Sequence, residues 1–514
     1  MRRFRAVLAC CGFAALLALA GVAAGPAHAT AKQAVAPIRP SISDWQYLGN
    51  GVTPPSQAAC NAVGRRCFNP DAMHHSYNYA SLLAAGNQGQ GKTIAIIDSF
   101  GASSIRQDLY TFSTQFGLPV PCGANTTAPS DPSGNCAPGV SPRFDIVCPE
   151  GCRAAQPPPP NNSAYQEAGN LWALEVALDV EWAHATAPLA NIMLVTTPTA
   201  ETLGVQGFPP MMQAEQYVVD NHLADVISQS FGAGEGSFHS GVAPIDQLRQ
   251  AFIDAQANHV TVFASSGDGG TTNNYKEPVK TPVAIPYPSV IWPASDPLVT
   301  SVGGTYLCTD ATTGTSVDSV SPPGACQANP GVREVGWSGS GGGYSILFPR
   351  PAYQDTLPPG STYTGTSVGA PGPNTNMRGV PDIAYQARSR TGVLVYLTAP
   401  YPPGATSTGC GGANPCDTGW YVVGGTSAGS PQWAGLIALA DQIAGRDLGF
   451  INPALYQIAA NPAKYANDFF DVTLGNNQTS SIPGYSASTG WDAVTGLGTP
   501  NVANLIPDLI AATP

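Results

Sequence analysis

Lys92-Thr93-Ile94-Ala95-Ile96-Ile97-Asp98 is a short, β-branched apolar run that ends on an acid. Apolar side chains at consecutive positions mark a strand covered on both faces, the setting of a parallel sheet. Residues 103–116, directly after it, take up helical spacing. The alternation then repeats downstream. The pattern predicts helices over 164–185, 211–221 and 244–258, and strands over 191–196, 225–230 and 260–264. Such βαβ order predicts an α/β fold, a parallel sheet flanked by helices on both faces. Beyond Pro286 the chain is richer in glycine and proline. It continues to a strand at 420–423, a helix at 431–444 and an irregular C-terminal stretch with a short last helix. Upstream, residues 30–75 read as an extended lead-in. Residues 119–163, with four cysteines and four consecutive prolines (Pro157 to Pro160), read as an irregular stapled insertion.

The composition fits one large domain. Glycine (57) and proline (49) fill about a fifth of the 514 residues, while 43% of the chain is hydrophobic, enough for a sizeable core. Only 11% is charged, with a formal net charge of −12, which argues against nucleic acid as a partner. Residues 1–29 have the layout of an export signal: Arg2, Arg3 and Arg5, an apolar run over 6–24, and Ala27-His28-Ala29 as a cleavage site. Its removal takes three arginines and no acid, leaving −15. Cys10 and Cys11 lie inside the apolar run, too early for a lipid-anchored alternative. No later stretch is long and apolar enough to span a bilayer, so a secreted protein with no membrane attachment is expected. The other ten cysteines fall as neighbours: Cys60/Cys67, Cys122/Cys136, Cys148/Cys152, Cys308/Cys326 and Cys410/Cys416. None clusters as a zinc site would, which favours disulfides, although spacing alone does not fix their connectivity. Asn125, Asn161 and Asn477 stand in glycosylation sequons.

Three stretches carry residues suited to chemistry. Gly424-Gly425-Thr426-Ser427-Ala428-Gly429-Ser430-Pro431 sets a serine between a strand and a helix start, where a nucleophile meets the positive end of a helix; a plain capping turn has the same look. A serine nucleophile needs a base, and no histidine here opens a His-Gly-Thr helix. Instead, Glu175 and Asp179 stand four apart on the apolar helix Leu174-Glu175-Val176-Ala177-Leu178-Asp179-Val180-Glu181-Trp182, on one face; solvated surface acids are the alternative. Val262-Phe263-Ala264-Ser265-Ser266-Gly267-Asp268-Gly269-Gly270 ends a buried strand with an acid in a glycine turn, a position that also suits a simple turn former.

Taken together and in this order, these stretches resemble the sedolisin (serine-carboxyl peptidase) family, with its Glu-x-x-x-Asp helix, Gly-Asp-x-Gly strand end and Gly-Thr-Ser-Ala-x-x-Pro turn. Gly339 to Ser345, Arg378-Gly379-Val380-Pro381-Asp382 and residues 490–500 add to the likeness, which covers about residue 75 to the C-terminus. The resemblance implies a subtilisin-like fold and an endopeptidase that cuts protein or peptide substrates in acid; a monomer is expected. Ser427 would be the nucleophile, Glu175 the base, Asp179 its support and Asp268 the oxyanion stabiliser. It also implies one structural calcium, held by the carboxylates of Asp471 and Asp492 and the backbone carbonyls of Val472, Ser488 and Gly490; Ser488 stands where the family tends to have glycine. The expected organisation is a signal (1–29), a short extension (30–75) where the family carries a domain-sized prosegment, and a peptidase domain (76–514). Asp98 has two readings, as an extension of the acid network or as a strand-end residue bonding its own turn. Two other functions stay open: a subtilisin-type protease using Asp98, a histidine and Ser427, and an inactive secreted binding protein.

Overall fold

The computed structural model describes residues 39–42, 44–124, 142–149, 163–197, 207–238, 243–275, 283–318, 324–361, 363, 376–398 and 417–514. The signal segment, most of the stapled insertion, Asn125 and Asn161 lie outside them.

The elements that position the site are the strands β1 (Arg39–Pro40), β2 (Asp44–Gly49), β3 (Thr93–Ser99), β4 (Phe144–Val147), β5 (Asn191–Thr197), β6 (Val226–Gln229), β7 (Phe231–Gly234), β8 (Thr261–Ser265), β9 (Ile291–Trp292), β10 (Thr300–Leu307), β11 (Glu334–Gly336), β12 (Ile383–Gln386), β13 (Val393–Leu397) and β14 (Gly419–Gly424). With them come the helices α1 (Ile105–Phe116), α2 (Ser163–Thr186), α3 (Phe208–Asp220), α4 (Gly429–Ala444) and α5 (Val502–Ala512). An eight-stranded sheet runs β11-β10-β8-β6-β3-β5-β4, with β12 also pairing β10. All its pairings are parallel except β10 with β11.

The consecutive apolar residues of β3 explain its place at the centre. Ile94 and Ile96 pack into a core with α2 and α4, whereas Ala95 and Ile97 pack into a second core with α3. A strand buried on both faces has no need of polar alternation. Helices α2 and α4 are themselves buried, α2 without a break from Trp172 to Thr186 and α4 from Gly429 to Asp441, as expected of helices apolar all round. They pass closely, since a Cβ on Gly435 would lie 2.6 Å from that of Thr186.

Several expectations need correction. The described part of the 30–75 lead-in, from Arg39 on, is woven into the fold: β1 pairs with β7, β2 pairs with β14, and residues 57–62 and 70–76 are helical. The insertion contributes β4 to the main sheet, parallel to β5. The single helix expected over 244–258 is two, Ala243–Asp246 and Gln250–Ala257. The strand before Ser427 lies in a separate antiparallel sheet, β13-β14-β2. Strand β10 had no counterpart in the sequence reading. Its Gly303 and Gly304 weaken any strand pattern, yet both are required by packing: a Cβ at Gly303 would sit 2.5 Å from Pro381, and one at Gly304 2.7 Å from Ala387 and Trp337. Asn477 is fully buried and braces the interior, donating to Ala493 O at 3.0 Å and accepting from Tyr485 N at 2.7 Å, so it is no glycan acceptor. Disulfides join Cys60–Cys67 and Cys308–Cys326. Cys122 and Cys148 are also disulfide-bonded, with partners outside the described residues, as are Cys410 and Cys416 themselves.

Candidate active site

The C-terminal ends of parallel strands are where an open α/β sheet places its ligand site. Here β3 ends at Asp98 and Ser99, β6 runs into Ser230, and β8 runs through Ser265 to Asp268. Helix α2 brings Glu175 and Asp179 to the same place, and the turn Thr426–Ala428 brings Ser427.

Glu175, Asp179, Asp98 and Ser427 are all fully buried. Burial pushes the Glu175 carboxyl well above the usual carboxylate range; the charges of Asp179 and Asp98 push it further, and the neighbouring Ser427 hydroxyl acts against them. Burial raises Asp179 as well, opposed by the Ser230 hydroxyl. Asp98 is raised by burial and then by Asp179. Among the described residues Asp98 makes no bond to its own turn, and it lies within reach of both helix acids, its charge acting on Glu175 and that of Asp179 acting on it. Among the described residues, no oxygen of the three acids, nor Ser427 Oγ, has a partner at hydrogen-bond geometry. Three acids this close cannot all ionise, and their protons come off as a set.

Asp268 meets the turn that carries Ser427. Its Oδ1 accepts from Thr426 N at 2.8 Å and Thr426 Oγ1 at 2.9 Å, while Thr426 Oγ1 accepts from Gly267 N at 3.0 Å. Oδ2 faces Gly425, where a Cβ would come within 2.8 Å of it and would collide with the carbonyl oxygen of Ser41. Gly425 has φ of +141°, so both its backbone and the crowding demand glycine. Ser427 opens directly into the buried α4, whose first amides are unpaired within the helix and carry its positive end.

The histidines among the described residues are placed elsewhere; His239 lies outside those residues. His74 is buried, bonded to Ala185 O at 2.9 Å and held low, to about 4, by burial. His184 is likewise buried and lowered to about 4, with the Pro119 backbone acting in the opposite direction. His75, His222 and His259 are exposed.

Away from the triad acids, Asp471 and Asp492 converge on one loop. Asp471 accepts from Gly490 N at 3.0 Å and 3.2 Å, and Asp492 accepts from Ser488 N at 3.0 Å and from Val494 N and Thr495 N. Burial pushes Asp492 up to about 7 and raises Asp471. Among the described residues no salt bridge reaches either acid. Two half-buried or buried carboxylates on one glycine-bearing loop, with no cationic side chain against them among the described residues, are the kind of oxygen donor a hard cation takes, although the described residues hold no cluster of three or more acidic, histidine or cysteine ligands.

The subtilase family model matches residues 172–464, which span α2, the β8 turn and the Ser427 turn. This chain belongs to the subtilases. Within them it is a member of the sedolisin family. It is 32% identical to kumamolisin from Bacillus sp. (strain MN-32), over 65% of this chain and 50% of that protein, and 30% identical to sedolisin from Pseudomonas sp. (strain 101), over 57% and 42%. The solved structure of Pseudomonas sedolisin (serine-carboxyl proteinase), complexed with two molecules of pseudo-iodotyrostatin, superposes with a TM-score of 0.58 at 24% identity, covering 87% of this chain and 99% of that one. The subtilisin-like α/β fold is thereby established. The chain spans about half the length of the curated relatives it matches.

Sequence reading singled out Glu175, Asp179, Asp268 and Ser427, and the fold gathers them with Asp98. It missed Ser230, Thr426 and Ser41. Ser230 had a signal, being the polar residue at the end of a buried strand. The contact of Ser41 with Ser427, made across nearly 400 residues of chain, had none.

Proposed function

We propose that this sedolisin-family subtilase is an exported serine-carboxyl endopeptidase that hydrolyses protein or peptide substrates in acid. The observation that carries the reading is the crowding of Glu175, Asp179 and Asp98, raised by burial and by one another, beside a buried Ser427. Perturbed titratable groups around a nucleophile mark a functional site more often than a structural one. In acid the three acids share fewer than three charges. The reactive form is the one in which the charge falls on Glu175, next to Ser427, with protons on Asp179 and Asp98; it is one of the protonation states the coupled set shares.

Ser427 Oγ attacks the peptide carbonyl carbon as Glu175 takes its proton. The same proton then goes to the departing nitrogen, and water releases the acyl group by the reverse route. The oxyanion faces the Ser427 N–H and Asp268. An ionised carboxylate would repel it, so Asp268 serves only when protonated, donating from the oxygen that Thr426 does not engage. Asp471, Asp492 and the carbonyls of Val472, Ser488 and Gly490 would hold one calcium, whose charge would stabilise the carboxylate-bearing loop. The export signal accounts for disulfides in this chain, and no helix among the described residues is long and apolar enough to cross a membrane.

The test is digestion of a denatured protein at pH 3–5 and at pH 8, with wild type, Ser427→Ala and Asp268→Asn. Wild type is expected to cut only in acid and Ser427→Ala not at all. Asp268→Asn, a permanent donor, is expected to keep activity further into the alkaline range. Cleavage that is strongest at pH 8 would favour a histidine base and overturn the triad. No cleavage by wild type at any pH would favour a binding protein on the same fold.

A further inference from the structure

A pocket of about 640 Å³ opens beside the Ser427 turn, with Tyr306, Val335, Trp337, Arg388, Arg390 and Leu474 in its walls. Its base is braced, because Tyr306 and Val335 pack with the Cys308–Cys326 disulfide in a small core of their own. Its cationic rim comes from two distant segments. Arg388 and Arg390 follow β12, and Arg66 N, in the loop closed by Cys60–Cys67, donates to Arg390 O at 2.8 Å. The guanidiniums of Arg390, Arg388, Arg66 and Arg65 converge there, and all four act on the Tyr306 hydroxyl.

The pocket is close to the nucleophile. Ala387 O, one residue before Arg388, accepts from Gly425 N at 2.6 Å, two residues before Ser427. These steps keep the backbones of Arg388 and Ser427 within about 12 Å, roughly three or four residues of extended peptide. On the opposite wall Trp337 N donates to Gly304 O at 3.1 Å, and a Cβ on Gly304 would reach Thr426 at 3.4 Å.

The charges of the rim are unevenly answered. Asp318 holds Arg66 at 2.5 Å, and Asp44 holds Arg65 at 2.9 Å while standing 3.8 Å from Arg388. Among the described residues no salt bridge reaches Arg390. The chain has 33 acids against 21 bases, so a shortage of partners does not explain this. Trp337, only 4% exposed, adds an Nε1–H without a partner among the described residues. Arg388 and Arg390 are half-buried, where a charge is screened less than on open surface. Guanidinium forks match a carboxylate through two parallel bonds. Asp44 displays that match on Arg65, at 2.9 Å and 3.1 Å.

We propose that this pocket binds a carboxylate of the substrate, roughly three or four residues to one side of the scissile bond, with Arg390 and Arg388 as specificity-determining residues. The proposal rests on the peptidase reading above and names its substrate class: peptides with an acidic group at that distance. Val335 and Leu474 give the stem of such a residue an apolar wall. A guanidinium favours the ionised form of a neighbouring carboxyl, so recognition extends down to acid near the ordinary glutamate pKa of about 4.3.

The full chain, as wild type, Arg390→Gln, Arg390→Glu and Arg388→Gln, is given amidated peptides of one acid-free sequence. Single Glu, Gln or Lys residues are stepped through the four positions on either side of the cut. A further peptide ends in a free carboxylate at the same distances, which separates a terminal carboxylate from a side-chain one. The readouts are kcat/KM at pH 5 in 50 mM and 500 mM salt, product masses to fix the cut, and a melting curve for each variant. Wild type is expected to prefer Glu over Gln about fivefold at one position on one side only, and less so at high salt. The Glu-to-Gln ratio should fall toward one in Arg390→Gln and Arg388→Gln. Arg390→Glu should prefer Lys at the same position, a reversal that a merely structural arginine would not give. A gain from the free terminus alone would assign the pocket to the terminal carboxylate.

Wild type that cuts these peptides without favouring a carboxylate anywhere, or equally on both sides, overturns the proposal and leaves the peptidase reading standing. So does a preference that salt does not weaken, or a Glu-to-Gln ratio unchanged in folded Arg390→Gln and Arg388→Gln. Wild type that cuts neither the peptides nor a denatured protein removes both readings.

Discussion

Asp382 and Glu175 are both fully buried acids in the same fold, and their surroundings differ in kind. Asp382 is met by Arg378 through both guanidinium nitrogens at 2.8 Å and 2.6 Å, by Ser301 N at 2.8 Å and by Tyr456 OH at 2.9 Å. Every lone pair has a donor and the charge has its counter-charge. Glu175 has like charges in Asp179 and Asp98 for neighbours and, among the described residues, no donor at hydrogen-bond geometry. Burial is tolerated in the first case because it is compensated, and in the second it shifts the protonation equilibrium instead. The first arrangement is framework and the second is poised for proton transfer, although a motif search sees an acid in a family-like stretch in both.

The largest expected effect breaks the poised region. Glu175→Gln removes the proposed base but keeps its volume, so kcat/KM at pH 4 should fall by roughly 10³-fold, within the range general-base catalysis supplies. Its melting temperature should match or exceed the wild-type value, because an uncompensated buried acid is replaced by a neutral group. Turnover with an intact melting curve reads both, and near wild-type turnover removes Glu175 from the mechanism.

The opposite pattern is expected in the framework region. Asp382→Ala leaves Arg378 fully buried without its partner, a change that costs about 3–5 kcal/mol. Denaturant unfolding of the Ser427→Ala background with and without this change measures it. Equal midpoints would show that Arg378 finds other acceptors and would erase the contrast.

The contrast itself was only half legible in the sequence. Helix α2 and the strands around it announce themselves, since Ile94 to Ile97 and Leu174 to Trp182 are unbroken enough to fix period and burial. The pairing of Glu175 with Asp179 follows from helical geometry alone. What the sequence withheld is everything set by strand order. Asp98 reaches Asp179 because α2 packs against β3, the strand that carries Asp98, a relation between distant segments that no local pattern encodes. Arg378 and Asp382 were noticed as a motif, but their role depends on Ser301 and Tyr456, each more than 70 residues away. Strand β10 was hidden by the two glycines its crowded surroundings require. The cover that β1 lays over β7 was hidden because a two-residue strand has no periodicity.

A third, smaller effect sharpens the comparison through pH. Asp98, Glu175 and Asp179 are raised by burial, and Glu235, buried and bonded to Ser345 and Ile346 N, is pushed up to about 7. A raised carboxyl favours the fold while protonated. Its contribution is fully present below the unfolded pKa of about 4 and is lost as pH rises through the folded value. The melting temperature of Ser427→Ala, which removes self-digestion, should therefore be highest near pH 4 and decline toward pH 8. Adding Glu175→Gln should flatten that decline. A melting temperature that instead climbs from pH 4 to pH 8 would mean that compensated carboxylates of the Asp382 kind dominate the titration.

The smallest effect concerns a third treatment of buried acids, in which the missing counter-charge is an ion. Asp492 accepts three backbone N–H bonds and a bond from Thr495 Oγ1, yet burial still holds its carboxyl up at about 7. Dipoles alone do not compensate it as Arg378 compensates Asp382. Calcium at Asp471 and Asp492 would supply that charge, and protons would compete with it for the same oxygens. Binding only to the native state stabilises by RT ln(1 + [L]/Kd), about 1.4 kcal/mol at ten times Kd, which amounts to a few degrees in a domain of this size. The shift between calcium and chelator should therefore be larger at pH 7 than at pH 4, the reverse of the trend expected for the triad acids. Asp492→Asn should remove the shift while leaving kcat/KM at pH 4 within a few-fold of wild type. Thermal melts of Ser427→Ala at both pH values, with elemental analysis for bound metal, measure it. A shift that is equal at the two pH values, or absent with no calcium bound, would place Asp471 and Asp492 with Asp382, as acids the fold compensates by itself.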